Sequence, residues 1–172
     1  AWSTFDPAAN GVVNVLTSYV GGEFDGRYVY FVPYMSAETH HGEVLRYDTT
    51  SEFTSVNAWS TFDPAANGVG NNARGYEGAV FVGNYIYFVP TGTGIPHGEV
   101  LRYDTTSEFT SVDAWSTFDA AANGVGNNAR GYVGGEYDGK YIYFAPFDNG
   151  VDRHSEVLRY DTTSEFTSVD AW

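Results

Sequence analysis

The sequence predicts an all-β fold, and three observations support this prediction. The 172 residues include 20 glycines, 14 tyrosines and 12 phenylalanines, a composition typical of strands and tight turns. No segment shows a sustained 3.6-residue hydrophobic period, which argues against long amphipathic helices. The third observation is an internal repeat, which fixes the size of the structural unit.

Three near-identical units make up almost the whole chain. The hexapeptide Ala1–Asp6 returns unchanged at Ala58–Asp63 and at Ala114–Asp119. The longer run Glu43–Val56 also returns twice without a change. The units are therefore residues 1–57, 58–113 and 114–170, followed by 171–172, the dipeptide Ala171-Trp172 that starts a truncated fourth unit. We expect each unit to fold into one copy of the same structure.

The first two strands of a unit are predicted to form a hairpin. In the third unit, Tyr132–Tyr137 is an extended run with two glycines, which suits close approach to a crowded axis. It is followed by Lys140–Phe144 across Asp138-Gly139, a dipeptide that favours a two-residue hairpin loop. The other units carry Asp25-Gly26 and Gly83-Asn84 at this point.

Two further strands complete the unit. Glu156–Asp161 is the predicted third strand, and Thr162–Glu165 is expected to cap a short helical turn above Phe166. Ala114–Phe118 is a predicted fourth strand, and the polar segment Asp119–Arg130 leads to the next unit. Four short strands in a unit of about 40 to 60 residues are the signature of a β-propeller blade.

The order of these motifs resembles the kelch repeat. Arg130 precedes the innermost strand, a small-residue turn leads to Tyr141-Ile142-Tyr143, and Tyr160-Asp161 ends a strand that precedes a tryptophan strand. The resemblance extends over essentially the whole chain. Two features depart from it. The double glycine of the family is replaced by Val-Pro or Ala-Pro, and the interval from Tyr103 to Trp115 is longer than in the family.

Three blades are too few for a closed ring, since propellers have about four to eight. Because closed homodimers are the commonest assemblies, we expect two chains to form a six-bladed propeller. In this arrangement Ala1–Phe5 of one protomer would complete the last blade of its partner, built from residues 132–161. The dipeptide Ala171-Trp172 would compete with Ala1-Trp2 for the same place.

The kelch resemblance implies that the long Asn/Gly loops and the loops of variable length share one face, where we expect a ligand to bind. Asparagine and arginine there suit sugar hydroxyls or carboxylates, but the same residues could instead brace the loop backbone. These candidates are Asn14, Asn71, Asn72, Arg74, Asn127, Asn128 and Arg130. Tyr34 and Phe147, in the variable loops, are candidates for stacking on a sugar ring.

A His-x-Glu pair recurs in each unit and suggests a divalent cation, either calcium or a transition metal. The pairs are His41 and Glu43, His97 and Glu99, and His154 and Glu156. The alternative is that the glutamate caps the start of a strand and the histidine is a solvated loop residue. On the innermost strands, Glu23, Glu77 and Glu136 are further carboxylates that could gather a calcium ion.

Charge and motif content narrow the function. With 8 Lys+Arg against 22 Asp+Glu, the formal charge of −14 makes nucleic acids and anionic membranes unfavourable partners. The chain has no cysteine, and we expect neither a membrane span nor a leader peptide. The sequence leaves the compartment open, since an acidic, cysteine-free composition permits secretion of a soluble protein without requiring it.

Three functional hypotheses follow. The first is a non-catalytic, lectin-like module that binds glycans through the loop face at several equivalent sites. The second is a structural scaffold, engineered or recently amplified, with no specific ligand. The third is a metal-dependent enzyme that uses the His-x-Glu positions. No Gly-x-Ser-x-Gly, phosphate loop or His-Glu-x-x-His motif is present, so we expect a protein without catalytic activity.

Overall fold

The computed structural model describes residues 1–13, 17–37 and 39–172, and it confirms the all-β prediction. All named strands belong to three antiparallel sheets, called sheets 1, 2 and 3 below. No helix among these residues is long and apolar enough to cross a membrane.

Sheet 1 contains β1 (Thr17–Phe24), β2 (Tyr28–Ser36), β4 (Val44–Asp48) and β5 (Trp59–Phe62), hydrogen-bonded in that order. The two-residue β3 (Thr39–His40) pairs with the end of β2. The outermost strand β5 comes from the second sequence unit. The sheets are therefore offset from the repeat by one strand.

Sheet 2 is the most regular of the three. Its strands are β6 (Tyr76–Val82), β7 (Tyr85–Pro90), β8 (Glu99–Asp104) and β9 (Trp115–Asp119), again in sequence order. Alternate residues of β7 and β8 point to opposite faces, and both faces are buried by the neighbouring sheets.

Among residues 1–13, 17–37 and 39–172, sheet 3 has three strands, which are β10 (Tyr132–Tyr137), β11 (Tyr141–Pro146) and β12 (Leu158–Asp161). The third strand begins two residues later than the predicted Glu156. The predicted fourth strand at Ala1–Phe5 has no strand pairing within the single chain, since residues 1–6 carry no strand assignment. Within the part of the chain that the structure describes, the outer edge of β12 therefore has no strand partner.

The hairpin loops differ by one residue from the sequence prediction in two of the three sheets. Asp138 N–H donates to Tyr141 O, so the two loop residues are Gly139-Lys140 rather than Asp138-Gly139. The Asp138 carboxylate caps the loop instead, accepting the backbone N–H of Lys140 and of Tyr141. Gly139 has a φ of 105°, a conformation that glycine adopts without strain.

The sheets stack face to face through large apolar side chains. Tyr30, Val32 and Val44 of sheet 1 pack in one core cluster with Phe88 and Leu101 of sheet 2. All five side chains are fully buried. The equivalent residues form the cluster between sheets 2 and 3. Each interface therefore repeats the same packing.

A tyrosine, a phenylalanine and a tryptophan close the outer part of each sheet. In sheet 2, Tyr103 stacks on Trp115 with ring centroids 4.5 Å apart, and the Trp115 indole N–H donates to Phe109 O. Phe166 in sheet 3 is 1% exposed, as its predicted place beneath the turn requires. The helical turn itself comes later than predicted, at Val169–Ala171.

The innermost strands β1, β6 and β10 run side by side along one edge of the molecule. Glycine makes this approach possible, because a Cβ on Gly78 would lie 3.0 Å from the Cα of Gly134. A Cβ on Gly21 would lie 4.0 Å from the Cα of Gly78. The loops at the ends of these strands therefore lie close to one another.

Candidate functional site

The three variable loops meet in one cavity of about 410 Å³, called the loop groove. Its wall includes Tyr34 and His40 from sheet 1, Thr91 and Pro96 from sheet 2, and Phe147 and Asp148 from sheet 3. The two residues predicted to stack on a sugar therefore lie in the same cavity.

Hydrogen bonds to the residues just before β6 and β10 hold two of these loops in place. The backbone N–H groups of Thr91 and Gly92 donate to Gly75 O at 3.2 and 3.0 Å. In the same way, Phe147 N–H and Asp148 N–H donate to Gly131 O. Because Phe147 directly follows the strand β11, the sheet fixes the point at which its ring enters the groove.

Neighbouring loops also interlock. A Cβ on Gly75 would lie 3.1 Å from His40 Cδ2, and a Cβ on Gly131 would lie 3.1 Å from Pro96 Cβ. The loops of sheets 1 and 2 thus each pack on the glycine that precedes the innermost strand of the next sheet. This contact brings three loops that are distant in sequence to a single cavity.

The groove combines aromatic faces with polar groups. Tyr34 makes an edge contact with His40 at 5.1 Å, and the Arg153 guanidinium lies 4.9 Å from the centre of the Phe147 ring. Phe147 is 41% exposed. The Thr91 hydroxyl donates to Tyr132 O at 2.5 Å and lies 3.3 Å from a carboxylate oxygen of Glu77.

Burial lowers the pKa of His40 below its ordinary value of 6.5, while the nearby Glu77 carboxylate opposes the shift. The imidazole is therefore neutral at neutral pH, with one nitrogen able to donate and one able to accept. His40 therefore offers a ligand in the groove hydrogen bonds without adding a positive charge.

The asparagine candidates lie in loops that are bound to the protein itself. The backbone N–H groups of Asn71 and Asn72 donate to the two carboxylate oxygens of Glu99, at 2.8 and 2.6 Å. Asn127 N–H donates to Glu156 in the same way, and the Asn128 side chain donates to Asn149 O. These contacts agree with the bracing role. Asn14 lies outside the described residues.

The two arginine candidates are not part of the groove wall. Arg74 is exposed, and its carbonyl accepts a hydrogen bond from His97 Nε2 at 2.9 Å. Arg130 is half-buried, and its Nε atom has no hydrogen-bond partner within the described part of the chain.

In sheet 2 the His-x-Glu pair is engaged within the protein. His97 is 8% exposed, its ring makes an edge contact with Tyr76, and its Nδ1 accepts the Glu99 backbone N–H at 3.2 Å. Glu99 is 3% exposed and binds the Asn71 and Asn72 amides as described above. The pair thus fixes the long loop to the start of β8.

The other two histidines repeat part of this arrangement. His41 Nε2 lies 3.0 Å from Ser18 O, and His154 Nε2 lies 3.4 Å from Gly131 O. The Glu43 and Glu156 carboxylates occupy less buried positions than Glu99. Over residues 1–13, 17–37 and 39–172, no group of three or more His, Cys, Asp or Glu side chains is arranged to hold a metal ion.

Some buried polar atoms beneath the loops were not indicated by the sequence. The hydroxyls of Tyr76 and Tyr132 and the Nδ1 atoms of His41 and His154 have no partner in the described structure. Burial raises the pKa of both tyrosines. They look like ordinary core residues in the sequence, since tyrosines fill many positions of the repeat.

The innermost glutamates have different surroundings. Glu23 accepts the Phe81 backbone N–H at 3.2 Å, which links sheet 1 to sheet 2, and burial raises its pKa. Glu77 faces Thr91, and Glu136 is exposed. The three carboxylates therefore have different contacts, although all lie on innermost strands.

Sequence reasoning found Tyr34 and Phe147 but missed His40, Thr91, Pro96 and Asp148. The available signal was loop length, because the units differ in length only in these segments. No protein-family model matches the chain, and no curated protein matches it at a significant level, so the loop groove is interpreted from its own geometry.

Proposed function

We propose that the chain is a non-catalytic binding module, a kelch-like β-propeller that binds a carbohydrate in the loop groove. The observation that supports this proposal is the meeting of Tyr34 and Phe147 in one cavity of about 410 Å³. Cavities of this size hold small organic ligands.

The groove chemistry suits a neutral sugar. A sugar presents C–H groups on one side and hydroxyls at its rim, which match an aromatic face flanked by polar side chains. Thr91, His40 and Asp148 supply hydroxyl, imidazole and carboxylate groups beside the rings. The formal charge of −14 disfavours acidic saccharides.

Titration calorimetry with a panel of neutral mono- and disaccharides tests the proposal. We expect saturable heat with at least one sugar, weakened about tenfold or more by Phe147→Ala or Tyr34→Ala, since a lost stacking contact costs about 1.4 kcal/mol. Trp2→Ala removes a fully exposed aromatic ring outside the groove and is the control.

Two results would overturn the proposal. One is the absence of heat with every sugar in the panel. The other is binding that Phe147→Ala and Tyr34→Ala leave unchanged, which would place the ligand outside the groove.

A structural scaffold is the second candidate function. It is favoured by the hydrogen bonds that engage Asn71, Asn72, His97 and Glu99 within the protein. Unchanged thermal unfolding in the presence of every sugar of the panel would support it. A divalent cation at the His-x-Glu pairs, and the enzyme hypothesis that depends on it, stay predictions that elemental analysis of the purified protein tests.

A further inference from the structure

We propose that the two outward faces of the sheet stack bind each other between two copies of the chain. The entry face is the outward side of sheet 1, with Phe31, Leu45, Tyr47, Phe53 and Trp59. The exit face is the outward side of sheet 3, with Tyr143, Ala145 and Val157. This interaction is independent of sugar binding.

The exit face carries residues whose equivalents are buried in the other sheets. Val44 and Val100 are each 0% exposed, whereas Val157, at the same position of the repeat, is 56% exposed. Likewise, Val32 and Val89 are 0% exposed, and the equivalent Ala145 is exposed. The repeat therefore places core residues on a surface that the described residues of the same chain leave largely uncovered.

The entry face shows the complementary pattern. Phe88 and Tyr103 of sheet 2 are 0% and 1% exposed because sheet 1 covers them, while the equivalent Phe31 and Tyr47 are only half-buried. A cavity of about 300 Å³ opens on this face and is lined by apolar side chains that include Phe31, Leu45 and Trp59. Its size and chemistry suit apolar side chains from another sheet.

A repeated arginine identifies the missing partner residues. Arg46 lies over the Tyr28 ring of its own sheet and the Phe109 ring of the next, at 4.2 Å from each centre, and its Nε donates to Ser60 Oγ. Both Ser60 and Phe109 belong to the following sequence unit.

Arg102 repeats this arrangement, and Arg159 does so only in part. Arg102 lies over Tyr85 and Phe166 and donates to Ser116 Oγ at 3.1 Å. Arg159 lies 4.2 Å from the centre of the Tyr141 ring, but the second ring and the serine are not supplied by its own chain within the described residues.

The repeat assigns both missing groups to the first unit of a second copy. The residue equivalent to Phe109 and Phe166 is Phe53, and the residue equivalent to Ser60 and Ser116 is Ser3. Phe53 lies on the entry face, and Ser3 lies in a segment with no strand pairing in the single chain. One unit of a second copy thus carries both groups that Arg159 lacks.

The register of sheet 2 specifies how the strand would pair. Arg102 faces Ser116 and Tyr103 faces Trp115 across β8 and β9. In sheet 3, Trp172 already packs against Tyr160, with ring centroids 4.5 Å apart. The second copy therefore adds Ser3–Asp6 beside β12, and the predicted competition between tryptophans is resolved in favour of Trp172.

The innermost strands supply a second set of open contacts. Glu23 accepts Phe81 N–H across the junction between sheets 1 and 2. The equivalent pair at the new junction is Glu136, which is exposed, and Phe24 of the second copy. A Cβ on Gly134 would meet nothing within 4 Å, whereas one on Gly78 would meet Gly134.

A second copy of the chain is the occupant that satisfies both faces at once. Each copy presents one entry face and one exit face, so two copies related by a twofold axis form two identical junctions and leave no face open. The resulting ring has six sheets, within the range of about four to eight in which propellers close.

The first test is the mass in solution, measured by size-exclusion chromatography with light scattering. We expect twice the 18.8 kDa mass of one chain. Val157→Asp places a carboxylate in each junction and is expected to give a folded monomer. Val112→Asp, at an exposed position in the short helical turn before β9, is the control and should remain a dimer. A wild-type monomer, or an open series of larger species, would overturn the proposal.

The second test is a cross-link, which the absence of native cysteines makes unambiguous. Ser3→Cys with Arg159→Cys is expected to form a disulfide between copies and to run as a dimer without reductant. Arg46→Cys with Ser60→Cys joins the equivalent positions within one chain and should run as a monomer. If this control pair oxidises and the first pair does not, the junction is wrong.

The outcomes also separate the junction from the loop groove. A dimer that binds no sugar contradicts only the proposed function. A monomer that binds sugar with dependence on Phe147 contradicts the junction and the closed ring, but leaves sugar binding in the loop groove in place.

Discussion

Val100 in sheet 2 and Val157 in sheet 3 occupy the same position of the repeat, with nearly identical neighbours in sequence. Val100 is 0% exposed because sheet 3 covers it, while Val157 is 56% exposed because none of the described residues forms a sheet over it. The comparison shows that the repeat encodes the shape of one sheet and the chemistry of both faces. Burial of a face is decided by the sheet that packs on it, which the residue itself does not encode.

The largest difference in unfolding free energy should appear when two tryptophans with the same sequence context are each replaced by alanine. Trp115 is 5% exposed, stacks on Tyr103 and donates its indole N–H to Phe109 O, so Trp115→Ala is expected to cost about 3 to 5 kcal/mol of unfolding free energy. Trp2 is fully exposed, and Trp2→Ala should change the unfolding free energy by less than about 0.5 kcal/mol.

Urea denaturation of the monomeric Val157→Asp background measures both effects without a contribution from association. Equal losses for the two variants would mean that Trp2 has a packed position that the structure does not show.

A smaller change in unfolding free energy is expected at a position where sheets 1 and 2 have a glycine and sheet 3 has a serine. A Cβ on Gly98 would lie 2.3 Å from Ala129 O and 3.0 Å from an oxygen of Asp119, yet the equivalent residue in sheet 3 is Ser155. Gly98→Ser should therefore cost about 1 to 3 kcal/mol, because the neighbouring loop must move. Ser155→Gly should be close to neutral, since Ser155 is exposed.

Thermal unfolding of the two variants, again as monomers, checks this pair. A neutral Gly98→Ser would show that the loop before sheet 3 yields easily. In that case the close contact between residue 98 and the Ala129 loop would not be a difference between the junctions within the chain and the junction proposed between copies.

The smallest expected effect is a pH dependence. Burial lowers the pKa of His41 and His97 below the ordinary value of 6.5, so the unfolded chain binds protons more readily than the folded one. Their contribution to stability is complete above about pH 6.5 and is lost as the pH falls below it. Glu23 and Glu43, whose pKa values burial raises, contribute with the opposite sign just above their ordinary value of 4.5.

Urea unfolding of the wild type and of the His41→Gln/His97→Gln variant, from about pH 7.5 to about pH 5.5, isolates the histidine contribution. The variant should show a weaker fall in stability with falling pH. An identical pH profile would mean that the two imidazoles titrate in the folded protein as they do in the unfolded chain.

Much of the sheet structure could be predicted from the repeat alone. The hairpin strands near Tyr132–Tyr137 and Lys140–Phe144 and the buried Phe166 were found, because period-two patterns and turn residues are local signals. The two Asp-Gly hairpin loops were misplaced by one residue, because the dipeptide favours a turn but does not show whether the aspartate lies in the loop or caps it. Here the Asp138 carboxylate accepts the backbone N–H groups of Lys140 and Tyr141, so the aspartate caps the loop.

The candidate site was harder to predict. Asn71, Asn72, His97 and Glu99 looked like ligand-binding groups, but folding joins them to one another and to the backbone. A polar side chain in a sequence carries no mark of whether its partner is a ligand or the protein, because both satisfy the same hydrogen bonds. Tyr34 and Phe147 were recognised by their positions in variable loops, yet nothing in the sequence showed that they share a cavity.

The sequence by itself determined the repeating unit, the all-β class and the apolar character of both faces of every sheet, because these depend on patterns within a few residues of one another. The tertiary structure decided which faces are covered, which loops meet in the groove and which polar groups are left to bind a ligand. Those features depend on contacts between units that are near-identical in sequence. Units with nearly the same sequence make different contacts only after they are stacked, because their positions in the stack give them different neighbours.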